Sequence, residues 1–72
     1  MNEELNIGKK IRLLRKERGL KQEKFANEVG ISRPYLSGIE GDKRNPTYTI
    51  VKEIANELDV GIEELEGVDN DE

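Results

Sequence analysis

Apolar residues recur along this chain at the three- and four-residue spacing of helices, with no alternating stretch that reads as a strand. From Leu5 to Arg18, Ile7, Ile11 and Leu14 fall on one side with lysines and arginines between them. Gly19 stands where a left-handed C-cap would end that helix. Gln22 to Val29 reads as a second helix, with Phe25, Ala26 and Val29 on one side and Gly30 as its stop. Lys21 is a poor N-cap, so local chemistry specifies the start of this helix weakly. Ser32 is a good cap, and Pro34 falls in the first turn of a third helix, where a missing N–H costs nothing. That helix runs to about Glu40. Gly41 to Pro46 (GDKRNP) is a polar loop with turn residues at both ends. Thr47 caps a fourth helix whose buried stripe is Val51, Ile54, Ala55 and Leu58, and a short fifth covers Ile62 to Glu66. The expectation is an all-α fold of five short helices over residues 6–66, between a frayed start at 1–5 and an acidic tail at 67–72.

The second and third helices are joined by only Gly30, Ile31 and the cap Ser32. So short a connection forces their axes to cross steeply, and a glycine in it tolerates positive φ. Small Ala26 lets the two helices approach. This is helix-turn-helix geometry, in which the second helix of the pair projects and fits a major groove about 12 Å wide. At 100° per residue, Leu36, Ile39 and Glu40 share the inner side of that helix. Pro34, Ser37, Gly38 and Gly41 face outward, with Arg33 and Tyr35 on the flanks. Small outward residues permit close approach to another surface, and Arg33 is long enough to reach base edges beyond them.

Charge at first argues against a polyanionic partner, because the net charge is −4. Its distribution reverses the picture. Residues 1–52 hold all twelve bases and seven acids, a net of +5, whereas residues 53–72 hold nine acids and no base. Phosphates respond to charge mainly within a Debye length of about 8 Å, so an acidic end folded away from a basic face does not abolish binding. The chain has no cysteine and no histidine, which removes disulfides, thiolate metal sites and the commonest general base. The acids Glu63, Glu64, Glu66, Asp69, Asp71 and Glu72 miss the spacing of a calcium loop, and so short a chain has little room for a concave pocket. No enzyme activity, metal or cofactor is expected. No apolar run reaches the roughly 18 residues of a membrane span, and no signal-peptide pattern opens the chain, so a soluble cytoplasmic protein without a membrane partner is expected.

A set of ordered fragments then narrows the reading. They are Ile7-Gly8-Lys9-Lys10-Ile11-Arg12, Leu14-Arg15-Lys16-Glu17, Gly19-Leu20, Gln22-Glu23 and Phe25-Ala26. Val29-Gly30-Ile31-Ser32 follows, then Tyr35-Leu36-Ser37, Ile39-Glu40, Lys43-Arg44-Asn45-Pro46, and finally Leu58, Val60 and Ile62. In this order, over Ile7 to Leu65, they resemble the phage repressor and Cro-like helix-turn-helix family (the xenobiotic-response-element type). The resemblance implies a lambda repressor-like domain and a sequence-specific regulator of transcription that binds double-stranded DNA as a homodimer, as repressor or controller.

At matching positions it implies that Gln22 anchors a backbone phosphate and that Arg33 reads a base, guanine O6 and N7 fitting its bidentate fork. Pro34, Ser37 and Gly38 would face bases, and Tyr35 would touch phosphate or a thymine methyl. Lys43, Arg44 and Asn45 would hold phosphate, although a solvated loop explains the same residues. Arg15 and Glu40 match a structural pair bridging the first and third helices. Val60, Ile62 and Leu65 are available either for a dimer contact or to close the monomer core. Departures from the family pattern are Gly38, where a longer polar residue is common, Lys21 in place of a capping Ser or Thr, and the acidic end. That end leaves a second reading open, an antitoxin or protein-interaction module whose acidic tail contacts a protein partner.

Overall fold

The computed structural model describes residues 6–66. The expected tail at 67–72 and frayed start at 1–5 lie outside them. Five helices follow in order: α1 (Ile7–Glu17), α2 (Gln22–Val29), α3 (Arg33–Glu40), α4 (Tyr48–Leu58) and α5 (Ile62–Glu66). No strand occurs among the described residues.

Local chemistry accounts for most boundaries. Three caps accept a hydrogen bond from the N–H three residues on: Asn6 Oδ1 from Lys9, Ser32 Oγ from Tyr35 and Thr47 Oγ1 from Ile50. Each satisfies a donor that the first turn would otherwise leave unpaired. The Asn6 cap places the start of α1 at Ile7, two residues beyond the Leu5 that periodicity suggests. Lys21 caps α2 with no side-chain bond, as its chemistry predicts. Gly19 and Gly30 take φ of +68° and +92°, the left-handed conformation that ends α1 and α2. Asp59 ends α4 at φ +61°, a non-glycine residue in the same conformation.

Packing does the rest. Ile11 of α1, Phe25 of α2, Leu36 and Ile39 of α3, Ile54 and Leu58 of α4 and Leu65 of α5 are all essentially inaccessible to solvent. Each such side chain contributes on the order of 1.5–3 kcal/mol by leaving water. The helices α2 and α3 pack on one another, α1 spans α3, α4 and α5, and α4 backs α2. α1 reaches α3 at unusually short range because position 8 has no side chain. A Cβ there would run into the Ile39 carbonyl and stand 3.1 Å from that of Glu40. The C-terminal turn of α3 is therefore pressed against α1, while its N-terminal turn projects.

Candidate nucleic-acid interface

The exposed side of α3 carries Arg33, Pro34 and Ser37, and its inner side buries Leu36, Ile39 and Glu40, as the helical pattern predicts. Beneath this surface lies a polar network. Arg15 and Glu40 are each only 6% exposed. Arg15 donates from Nε to Glu40 Oε2 at 2.8 Å and from Nη2 to Oε1 at 2.9 Å, a bidentate pair between α1 and α3. Its Nη1 donates to the Leu20 carbonyl at 2.8 Å, holding the turn after α1. Such a pair is tolerated in a core because both charges are paired and hydrogen-bonded.

The network continues outward. Gln22 Nε2 donates to Glu40 Oε1 at 3.1 Å, and Arg33 Nε donates to Gln22 Oε1 at 3.2 Å. A carboxylate accepts and a guanidinium donates, so the amide has one orientation that satisfies both neighbours. Gln22 thus links the buried pair to the first residue of α3. Of the five N–H donors of the Arg33 guanidinium, Gln22 engages the one on Nε and leaves the four on Nη1 and Nη2 outside that bond. One Gln22 amide hydrogen is left over.

A second arginine approaches from the opposite flank. The loop after α3 folds back on Gly38, whose carbonyl accepts the N–H of Lys43 at 2.8 Å and of Arg44 at 3.1 Å. The Arg44 stem lies over the bare Cα, so that a Cβ on Gly38 would stand 2.7 Å from Arg44 Cγ. Its guanidinium carbon sits 5.4 Å from the centre of the Tyr35 ring, within cation–π range. Lys43 and Asn45 are exposed on the same loop.

Most residues singled out in the sequence are therefore gathered around α3, and at three positions the structure adds what the pattern left open. Gly38 is not bare, because Arg44 covers it. Tyr35 is half-buried against the core, one ring face occupied by Arg44. Leu65 is 0% exposed and closes the core between α1 and α4, so it offers no surface to a second copy. Val60 and Ile62 are part-buried against the same core. Sequence reasoning also passed over Arg12, which shares a polar cleft with Gln22, Ser37, Glu40 and Gly41. Its signal was available: it lies one helical turn before Arg15 on a neighbouring strip of α1.

Comparison with known proteins decides the family. The helix-turn-helix family profile matches residues 11–65. The chain belongs to the helix-turn-helix family of DNA-binding transcriptional regulators of the Cro and lambda-repressor type. It is 37% identical over 62 residues to control protein C.MunI of Mycoplasma sp., covering 85% of this chain and 84% of that one. It is 33% identical over 63 residues to the immunity repressor of Bacillus phage phi105, covering 88% of this chain but only 44% of the repressor. Among solved structures, the N-terminal DNA-binding domain of SinR from Bacillus subtilis superposes with a TM-score of 0.79 at 31% identity, over 92% of this chain and 96% of that one. In this helix-turn-helix chain α2 and α3 are the paired helices, and among the described residues no cluster of acids forms a metal site and no helix is long and apolar enough to cross a membrane.

Proposed function

We propose that the chain represses or controls transcription by laying α3 in the major groove of a specific duplex, with Arg33 reading a base. The observation that carries this reading is the chain of hydrogen bonds from Arg15 through Glu40 and Gln22 to Arg33. A solvated arginine needs no such support. Engaging Nε leaves the donors on Nη1 and Nη2 of this exposed side chain available for guanine O6 and N7. Pro34 and Ser37 beside it add no bulk that would hold the helix off the base edges.

Around this centre, Gln22 offers its remaining amide hydrogen to a phosphate, and Arg12, across the shared cleft, adds charge at the same point. Lys43 and Asn45 hold the backbone on the other side. A homodimer doubles the contact, since one eight-residue helix reads few base pairs, and two-fold symmetry places half-sites about 34–36 Å apart. Part-buried Val60 and Ile62 are the apolar residues we assign to that contact. On this reading the protein works on DNA in the cytoplasm, without catalysis of its own.

The test is selection from a random duplex library, followed by titration of Arg33→Ala on the selected duplex. The variant is expected to lose roughly 1–3 kcal/mol there and to relax preference at one base pair per half-site. An equal loss on selected and scrambled duplexes would reassign Arg33 to phosphate.

A further inference from the structure

Position 38 lies on the outward side of α3, one turn after Tyr35, and glycine is an expensive residue for a helix interior. Its bare Cα is nevertheless used. Three contacts converge on it: the stem of Arg44 over the Cα, and the N–H groups of Lys43 and Arg44 on its carbonyl. The loop is thereby folded onto the helix, and the Arg44 side chain crosses the outer surface where a residue-38 side chain would rise. Tyr35, three residues earlier and on the same side, carries the Arg44 guanidinium above its ring. Lys43, next in the loop, is exposed, and its ammonium makes no hydrogen bond or ion pair among the described residues.

A cation that only neutralises phosphate needs no seat, because a flexible stem finds the nearest charge. A planar fork that must meet base edges gains from one, since ordering it beforehand reduces the freedom lost on binding. We propose that Arg44 is a specificity-determining residue of the recognition surface, with Gly38 and Tyr35 as its positioning residues. It takes the place of the missing side chain at 38 and reads a second base pair from the flank opposite Arg33. This rests on the DNA-binding reading above and extends it to a residue outside the recognition helix.

The test uses the full chain with the selected duplex, a scrambled duplex of equal length and single base-pair variants of the selected one. Arg44→Ala is expected to weaken the selected duplex between about 5-fold and about 150-fold, the range of one bidentate base contact, and to relax preference at one base pair distinct from that of Arg33. Arg44→Lys, which keeps the charge but not the fork, should retain scrambled-duplex affinity and still lose that preference. Gly38→Ala should relax the same base pair by displacing Arg44, and adding it to Arg44→Ala should cost little more. Its melting temperature should change little, because the gain in helix propensity offsets the cost of shifting the Arg44 stem, so lost discrimination in a folded protein separates the seat from the fold. Equal weakening of selected and scrambled duplexes by Arg44→Ala, or unchanged base preference in Gly38→Ala, would overturn the proposal and leave the Arg33 reading intact. Failure of the unaltered protein to bind any duplex at low salt would instead remove the reading on which both rest.

Discussion

The two arginines flanking α3 are held by different forces, and the difference sets what each can do. Arg33 hangs from a directional chain of hydrogen bonds that ends in a buried bidentate pair and draws on α1, α2 and α3. Arg44 rests on a packing surface made by Gly38 and Tyr35, both of α3 itself. Hydrogen bonds fix the azimuth of a guanidinium, whereas a ring face fixes its plane and lets it turn. The Arg33 geometry is consequently a property of the whole fold, and the Arg44 geometry is local. An exposed cation–π contact is worth about 0.5–1 kcal/mol, so the Arg44 seat can be altered with little effect on folding.

The most severe way to break this contrast is Arg15→Ala. It strands the Glu40 carboxylate in the core, and unfolding by denaturant should show a loss of about 3–5 kcal/mol. Such a loss is a large part of the stability of a domain this small. A loss under 1 kcal/mol would mean that water reaches Glu40 and that the pair is not anchoring α3. Gln22→Ala is milder and sharper. It cuts Arg33 from the pair without touching Arg44, so discrimination at the Arg33 base pair should fall towards that of Arg33→Ala, while stability drops by about 1 kcal/mol. Base preference at the Arg44 position should be unchanged; a matching loss there would show that the two flanks are coupled. Smallest is Lys43→Ala, a cation with no seat. Binding to every duplex should weaken alike, and the slope of log K against log salt should flatten by about 0.9. An unaltered slope would take Lys43 off the phosphate backbone.

Much of this was legible along the chain, and the reason is distance in sequence. Helical periodicity finds α2, α3 and α4 at their observed bounds because burial repeats within one turn. Gly19, Gly30, Ser32 and Thr47 announce their ends through chemistry that acts over three or four residues. Gln22 shows the limit. Its position at the start of α2 suggests an anchor, but its two partners lie 11 and 18 residues away, and only folding shows that it bridges them. Gly8 and Gly38 are harder still, since each is defined by what occupies the space a side chain would fill. Leu65 was undecidable from pattern alone, because an apolar residue on a short terminal helix serves a core or an interface equally well. Packing against α1 and α4 assigns it to the core.

The pinning of α3 has a consequence for anyone wishing to borrow its reading ability. Its carbonyl end is clasped by the Gly8 notch, the Arg15 fork and the doubled-back 41–45 segment, while Gln22 steadies its leading arginine. A transplant of residues 32–40 into a foreign scaffold would carry the letters and leave the aiming gear behind. The smallest portable cassette extends from Gly8 to Asn45, more than half of the protein.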